Sequence, residues 1–445
     1  MRWHLDGGNN GTLMQVELRY GRAGLLVELP SDAQVDIIRK PAMPIQSEPQ
    51  EAVEQALLNP VGCASLVELA SDKRSACVAI CDITRPVPNH LFLRPVIERL
   101  LQAGLSPASI TVLVATGLHR PNEDAELREL VGDDWVFDHA QVVNHFARND
   151  EEHVDLGVTP TRRTPVKLDR RFVEAELRIV TGLVEPHFMA GYSGGRKVIA
   201  PGLAHADTIT VFHNAEFMSH PATANCNFID NPLHDEQLAI LAMLGDVYAI
   251  NTVIDEDRNL SFVNFGDILA SHAAAVAFAR DYCEVDVAQD YTTVLTCAAG
   301  YPLDKTYYQT VKGMVGCLGI LAAGGDVIIA SECSEGLGSP EFIAAQRRLV
   351  TLGADVFVES LLSKRHAEID EWQSQMQVKA EHAGVIHLYA PRLDSQQHAL
   401  TGVKRVEDIA TAIDLSFQRH GSRRLAVIPE GPYLVPHVRR ALTND

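Results

Sequence analysis

The sequence predicts two α/β domains, each built around a parallel sheet covered by helices. Two observations lead to this prediction: short apolar runs alternate with longer helical patterns, and 445 residues are enough for two or three domains. In the first half of the chain, "SACVAICDI" (75–83) and "SITVLVATG" (109–117) flank a helical pattern at 88–103 that ends near Gly104. This strand–helix–strand order is typical of parallel sheets.

Later runs extend the first sheet and then begin a second one. The segments 176–184 and 247–255 read as further strands, and the Ala-rich segment 267–285 reads as a connecting helix. The second set contains a strand from 291, a helix at about 305–322 and three more apolar runs, at 324–338, 382–391 and 423–431. We therefore predict an N-terminal domain at 1–285 and a C-terminal domain at 286–445.

Composition excludes several classes of partner. The formal net charge is −20, which repels nucleic acid and anionic membranes. No stretch approaches the roughly 18 apolar residues of a membrane span, and no apolar signal region follows the first arginine, so we expect a cytoplasmic protein. The eight cysteines form no CxxC pair and are expected to be reduced thiols.

The segment "CDITRPVPNH" carries Asp82, Thr84 and Arg85 just past the first predicted strand. Ligands of open parallel sheets bind beyond the carboxyl ends of strands. A guanidinium also suits phosphate or carboxylate. The segment therefore predicts an anion site, although a surface helix cap with a solvated arginine fits the spacing equally well.

Two histidines occupy analogous positions after other predicted strands. His119 lies in "ATGLHRP" and His187 in "EPHFMAGYSGG". A lone histidine is more often structural, but two at equivalent strand ends can divide acid and base roles between two faces of one carbon.

The loop "GYSGGRKV" resembles a phosphate loop, but Val198 follows Lys197 where a Walker loop has Ser or Thr. Its glycines permit positive φ and close approach of backbone N–H groups to an anion. Lys197 could hold phosphate as a point charge, or act as a nucleophile if burial or a neighbouring cation such as Arg196 lowers its pKa. His213 is a candidate imidazole ligand for Zn, Ni or Cu, with the other ligands supplied by a cofactor.

In the second domain, "YPLDKTYYQTVKGM" puts Gln309 and Lys312 on one face of a helix, where they could bind the oxygens of a hydroxy acid. An exposed helix face is the simpler interpretation. Trp372 lies among charges in "DEWQSQ" and could line a pocket, although core packing is the commoner fate of tryptophan.

Taken together, these segments resemble the nickel-pincer lactate racemase family. The resemblance rests on "DITRP", "ATGLHRP", "EPHFMAGYSGGRKVIAPG" with His213 sixteen residues beyond Lys197, "YYQTVKG", "ASECSEGLGS" and "EWQSQ". These motifs run in order from residue 82 to residue 375 and so span both predicted domains. The resemblance implies an active site in the cleft between two α/β domains.

The resemblance also implies a cofactor. In this family it is a nickel-pincer nucleotide, Ni(II)-pyridinium-3,5-bisthiocarboxylic acid mononucleotide, which would be covalently attached to Lys197, with His213 as nickel ligand. The "DITR" segment (Asp82, Ile83, Thr84 and Arg85) would contact the cofactor. The remaining matches are the acid–base pair and the substrate-binding residues: His119 and His187, then Gln309, Lys312 and Trp372.

The implied activity is racemisation or epimerisation at C2 of a small-molecule 2-hydroxy acid, by hydride transfer to and from the cofactor through a 2-oxo acid. Lactate, malate, aromatic lactates and sugar acids all stay open as substrates. The partners implied are cofactor-biosynthesis enzymes, which would load the protein. Two alternatives are a phosphate- or nucleotide-handling α/β enzyme that uses "SGGRK" noncovalently, and a non-catalytic cofactor-binding protein.

Overall fold

The computed structural model describes residues 14–439, which divide into two compact units. We call residues 42–282 the central unit, and residues 14–41 together with 283–439 the terminal unit. Each has its own six-stranded sheet.

The strands are numbered in chain order. They are β1 Met14–Leu18, β2 Leu25–Leu29, β3 Gln34–Ile37, β4 Ala76–Cys81, β5 Ile110–Ala115, β6 Gln141–Asn144, β7 His153–Val158, β8 Pro165–Asp169, β9 Leu177–Leu183, β10 Pro186–His187, β11 Gly191–Tyr192, β12 Tyr248–Ile254, β13 Leu260–Asp267, β14 Glu284–Val287, β15 Tyr291–Cys297, β16 Leu321–Ala330, β17 Gly384–Tyr389, β18 Lys404–Arg405, β19 Arg424–Val427 and β20 Val435–Val438.

The α-helices are numbered in the same way. They are α1 Pro49–Leu58, α2 Leu66–Ala70, α3 Asn89–Gln102, α4 Asp124–Val131, α5 Trp135–His139, α6 Arg170–Val173, α7 Arg196–Ile199, α8 Ala206–Phe212, α9 Ala215–Ser219, α10 Pro232–Ala242, α11 Ile268–Cys283, α12 Tyr307–Gly316, α13 Pro340–Leu352, α14 Ala354–Leu362, α15 Glu371–Ala383, α16 Ser395–Thr401 and α17 Ile409–His420.

The sheet of the central unit has the order β13-β12-β9-β4-β5-β6 and is parallel except for β13. Its strands are apolar on both faces, as expected of a sheet covered on both sides. Alternate β4 residues enter separate cores: Val78 and Ile80 pack on one face with residues of α1 to α3, and Cys77 and Ala79 on the other with residues of α6 to α8 and α10. Helices on both faces make this a doubly wound unit.

The sheet of the terminal unit has the order β18-β17-β16-β15-β19-β3, with every neighbouring pair parallel. The β1–β2 hairpin supplies Val16, Leu18, Val27 and Leu29 to its core. A short parallel pair, β14 with β20, lies outside the six-stranded sheet.

The predicted α/β class is confirmed, and β4, α3, β5, β9, β12 and α11 all form where the periodicity predicts them. The helix predicted at 305–322 is shorter: α12 ends at Gly316, and a 3₁₀ turn at Leu318–Ile320 leads into β16. The compact units also differ from the predicted division at residues 1–285 and 286–445, because residues 14–41 pack with the C-terminal part. The cause is β3, which pairs with β19 through the register Gln34 to Arg424.

Two further predictions concern membrane-spanning helices and the state of the cysteines. Among residues 14–439, no helix is both long and apolar enough to cross a membrane. The eight cysteines are free thiols, five of them buried.

Candidate active site

The central sheet has a topological switch point between β4 and β9. From β4 the chain continues to β5 and β6 on one side, and the next strands of the sheet, β9 and β12, lie on the other. Crevices beyond the carboxyl ends of such strands are where ligands bind in open α/β sheets. The predicted site residues 82–85 and 185–197 directly follow these two strands.

Asp82 and His119 form a short polar contact at this edge. His119 Nδ1 lies 2.6 Å from Asp82 Oδ2, and the side chain of His119 is 63% exposed whereas Asp82 is buried. Thr84 donates to the other carboxylate oxygen through Oγ1 at 2.6 Å. The backbone N–H of Ile83 donates to Asn122 Oδ1 at 3.3 Å, which ties this loop to the loop after β5. The predicted "DITR" and "ATGLH" segments thus form one cluster.

The charge of Asp82 sets the tautomer of His119. Burial alone would raise the pKa of Asp82, but the hydrogen bonds from His119 and Thr84 and the charge of Arg85 lower it below its ordinary value. An ionised carboxylate accepts hydrogen bonds only, so Nδ1 of His119 carries the proton and Nε2 carries the lone pair. A carboxylate that orients an imidazole in this way prepares it to act as a base.

His187 has the opposite tautomer. Its Nδ1 accepts the backbone N–H groups of Ala190 at 3.1 Å and Met189 at 3.3 Å, so the neutral ring carries its proton on Nε2. The ring is buried and lies in the β10–β11 hairpin that follows β9. One predicted acid–base histidine therefore offers a lone pair and the other an N–H group.

Arg85 forms an ion pair with Glu185 that joins the ends of β4 and β9. The Glu185 backbone receives support from Ser193, whose Oγ accepts the Glu185 N–H at 3.1 Å. Sequence reasoning missed Glu185, although its place directly after β9 is the same signal that pointed to Asp82. The predicted anion-binding arginine is thus paired with a carboxylate of the same unit.

Lys197 lies in the first turn of α7 and is partly buried. Burial, assisted by the positive charge of Arg85, lowers the pKa of its amine to about 7, against the opposing charges of Cys81, Glu185 and Asp82. A substantial neutral fraction makes an amine nucleophilic near neutral pH.

The neighbouring cation is Arg85, and the expectation that Arg196 fills this role is wrong. Arg196 is 2% exposed, donates through Nη2 to the carbonyl of Ala190 at 3.2 Å and stacks over the ring of Phe228. The pKa of Lys197 is lowered by burial and by the charge of Arg85, and the guanidinium of Arg196 is directed at the hairpin carbonyl instead.

Gly194 and Gly195 adopt the predicted positive φ values, 79° and 48°. The space beside them is filled by protein. A Cβ on Gly194 would lie 2.7 Å from Val184, and one on Gly195 would lie 2.9 Å from the ring of His272. The glycines therefore allow the loop to pack against β9 and α11.

His213 follows α8 and donates through Nδ1 to the carbonyl of Ile209 at 3.0 Å. Burial, together with the charge of Lys197, lowers the pKa of its imidazole to about 4, although the hydrogen bond to Ile209 opposes this shift. The ring is thus neutral at physiological pH with the lone pair on Nε2, which is the form that binds a transition metal.

Gln309, Lys312 and Trp372 lie in the terminal unit. Gln309 and Lys312 are on α12, Trp372 is on α15, and these two helices pack against each other. Gln373 fastens the pair, since its Nε2 donates to the carbonyl of Tyr308 at 2.6 Å. The side-chain oxygen of Gln309 is buried without a hydrogen-bond partner. An unpaired buried acceptor is costly, so this oxygen is suited to a ligand donor.

The fold is that of an α/β protein in which the candidate residues of the central unit lie at a topological switch point. Two family models match the chain, the lactate racemase N-terminal domain over residues 20–225 and the lactate racemase C-terminal domain over residues 287–435. The chain belongs to the lactate racemase family, and it is therefore an isomerase with racemase activity.

Individual relatives agree with this assignment. Lactate racemase of Lactiplantibacillus plantarum is 31% identical over 394 residues, covering 86% of this chain and 89% of the relative. Lactate racemase of Thermoanaerobacterium thermosaccharolyticum is 30% identical over 368 residues, covering 82% and 85%. The solved lactate racemase apoprotein of the latter organism matches with a TM-score of 0.85 at 27% identity, over 95% of this chain and 100% of that one. A Thermotoga maritima structure matches the fold alone, with a TM-score of 0.64 at 18% identity.

Proposed function

We propose that this protein is a nickel-dependent racemase or epimerase that inverts C2 of a 2-hydroxy acid by hydride transfer, with lactate as the first substrate to test. The main observation behind the proposal is that an amine and a neutral imidazole lie near each other. Lys197 has a pKa of about 7, and His213 is close enough to Lys197 for the charge of the lysine to lower the pKa of the histidine.

The residues fit the nickel-pincer nucleotide. Lys197 would hold the cofactor as a thioamide, in which its neutral amine replaces the oxygen of a thiocarboxyl group and that oxygen leaves as water. His213 would supply a nitrogen ligand to nickel through Nε2, since its Nδ1 proton is committed to Ile209. Asp82, Ile83, Thr84 and Arg85 stay predicted cofactor contacts.

When bound, the cofactor supplies the acceptor and donor of the C2 hydride. The protein moves the hydroxyl proton. His119 Nε2 would accept it from one epimer, with the imidazolium stabilised by Asp82. On the other face, the Nε2–H of His187 would donate a hydrogen bond to the oxygen of the planar 2-oxo acid. The proton held by His119 would return to this oxygen when the hydride is delivered to the opposite face, so the product hydroxyl is restored and both rings regain their starting forms.

The substrate carboxylate needs a cation and a hydrogen-bond donor. We assign these roles to the ammonium group of Lys312 and to the side-chain N–H₂ group of Gln309. Trp372 would line the pocket. These assignments rest on the motif match and on the packing of α12 against α15.

The side chain of Arg196 argues against the noncovalent phosphate-handling alternative. The positive φ of Gly194 and Gly195 serves the packing of the loop, because a Cβ on either residue would collide with Val184 or His272. Arg196 is also turned away from Lys197, so "GGRK" does not present two adjacent cations to one ligand.

The experiment compares protein produced with and without the cofactor-biosynthesis enzymes. We expect an intact-mass adduct that maps to Lys197, nickel that copurifies with the adduct, and racemisation of lactate by the loaded protein alone. In deuterated water, hydride transfer returns the original hydrogen to C2, so the product should contain no deuterium there.

A matched pair of variants tests the attachment. Lys197→Ala should lose the adduct, and Lys167→Ala should retain it, since Lys167 is occupied with Asp207 at 2.8 Å. Nucleotide that binds to Lys197→Ala and dissociates on denaturation would favour the nucleotide-handling alternative. A loaded protein that racemises no 2-hydroxy acid of a broad panel would favour the non-catalytic one.

A further inference from the structure

His187 depends on a short hairpin for its orientation. The hairpin is β10–β11, with Pro186 opposite Tyr192 and His187 opposite Gly191. The turn between the strands supplies the two N–H groups, of Met189 and Ala190, that His187 Nδ1 accepts. Any rotation of this turn would release Nδ1 and change which ring nitrogen carries the proton.

Three groups from outside the hairpin hold its backbone. Arg196 Nη2 donates to the carbonyl of Ala190 at 3.2 Å, and Asn231 Nδ2 donates to the carbonyl of Met189 at 2.9 Å. The N–H of Cys226 donates to the carbonyl of Gly191 at 3.0 Å. Both backbone groups of Ala190 are therefore hydrogen-bonded: its carbonyl accepts from Arg196, and its N–H donates to the ring of His187.

The hairpin also has no room to shift. Gly191 has a φ of 77°, and a Cβ there would lie 2.6 Å from the carbonyl oxygen of Asn227 and 2.8 Å from the ring of Phe228. The same Phe228 ring lies beneath the guanidinium of Arg196, 4.7 Å from its centroid. Arg196 and the hairpin therefore share one packed wall.

The burial of Arg196 is unfavourable for folding. It is 2% exposed, no carboxylate among the described residues forms an ion pair with it, and its Nε has no hydrogen-bond partner. Burial lowers the pKa of its guanidinium to about 9. Its other polar neighbour, His272, donates Nε2–H to the carbonyl of Ser193 at 2.8 Å and lies 3.4 Å from Nη1 of Arg196. A buried cation without a counter-ion costs folding free energy, and an apolar side chain of similar size would be cheaper.

We propose that Arg196 is a positioning residue for His187: through the carbonyl of Ala190 it fixes the hairpin turn, and thereby keeps the proton of His187 on Nε2 facing the substrate. Asn231 assists by holding Met189. The inference rests on the proposed function for the role of His187, and on the contacts of the hairpin for the role of Arg196.

The test uses Arg196→Met, which keeps an unbranched apolar stem and removes the charge and the donors, and Arg196→Lys, which keeps the charge and a donor group. Arg178→Met is the matched control. Arg178 is also partly buried and donates to backbone carbonyls, those of Val173 and Ala175, but it lies at the amino end of β9. The tautomer of His187 is read by ¹⁵N NMR of histidine-labelled, cofactor-free protein, with the signal assigned by its loss in His187→Gln.

In Arg196→Met we expect the signal of His187 to lose its pure Nε2–H character while the melting temperature stays equal or rises. Per bound nickel, kcat should fall about 100-fold, as a small displacement of a catalytic group can cause, with KM changed much less. Arg196→Lys should recover part of kcat and of the tautomer signal, and Arg178→Met should leave both unchanged.

Two results would overturn the inference. One is an unchanged tautomer signal and kcat in Arg196→Met. The other is a loss of melting temperature and activity together with an intact Nε2–H signal, which would make Arg196 a purely structural residue. A wild-type protein that fails to racemise any hydroxy acid, but whose His187 signal still responds to Arg196→Met, would refute the proposed function alone.

Discussion

The amine of Lys197 should react with acylating reagents near neutral pH in the cofactor-free protein. Its pKa of about 7 leaves about half of the amine neutral at pH 7. An ordinary lysine, with a pKa of about 10.4, is neutral in only about one molecule in 2,500 at that pH. The expected advantage in reactive amine is therefore about a thousandfold, before any loss from partial burial.

The assay is a short pulse of acetic anhydride at a series of pH values, followed by isotopic acylation of the unfolded chain and peptide mass spectrometry. Lys197 should label with a midpoint near pH 7. Lys167 is the internal contrast, because its hydrogen bond to Asp207 raises its pKa. Lys404, which is exposed, supplies the reference rate.

Substitutions of the neighbouring charged residues test which charges shift the pKa of Lys197. Arg85→Gln removes a positive charge that lowers the pKa of Lys197, so its midpoint should move to higher pH. Glu185→Gln removes a negative charge that raises the pKa of Lys197, so the labelling midpoint should move to lower pH. A wild-type midpoint above pH 9 would refute the reasoning, as would shifts of the same sign in both variants.

Three further predictions concern the proton relay, the metal and the fold. Asp82→Asn should lower kcat about 100-fold or more at unchanged folding, because the amide no longer fixes the tautomer of His119; a kcat within threefold of the wild type would contradict this. His213→Ala should lose nickel, measured by elemental analysis, while the mass adduct on Lys197 persists; full nickel content would exclude His213 as a ligand. Asp169 is fully buried, which by itself would raise its pKa, but Arg171 and His145 lower the pKa to about 2. The ionised carboxylate therefore stabilises the fold by about 2 kcal/mol at pH values above the ordinary carboxyl pKa. This stability is lost as the pH falls from about 5 toward 2. Thermal melts of Asp169→Asn should show a flatter pH dependence in that range, and an unchanged slope would show that the carboxylate is not the cause.

Much of the site could be predicted because its residues follow strands that periodicity reveals. The apolar runs that became β4, β5 and β9 end where the sequence indicates, and the side chains after them, Asp82 and His119 among them, fall at one edge of a parallel sheet. Parallel strands present their carboxyl ends together, so local pattern is enough to collect these residues.

The hydrogen-bond and ion-pair partners of those residues could not be predicted from local sequence pattern. Asp82 contacts His119 across 37 positions, and Arg85 contacts Glu185 across 100. The spacing in the chain says nothing about which carboxylate pairs with which cation. It also led to the wrong neighbour for Lys197, because adjacent helical residues such as Arg196 and Lys197 point in different directions.

By itself, the sequence determined the α/β class, the positions of the main strands and helices, and the side chains that gather at the strand ends, because periodicity and motif are properties of a few consecutive residues. Only the tertiary structure decided that β3 joins the sheet of the terminal unit beside β19, that His119 and His187 carry opposite tautomers, and that the "SGG" glycines pack against protein. These features depend on hydrogen bonds and steric contacts between segments far apart in the chain, which form only when the fold brings them together.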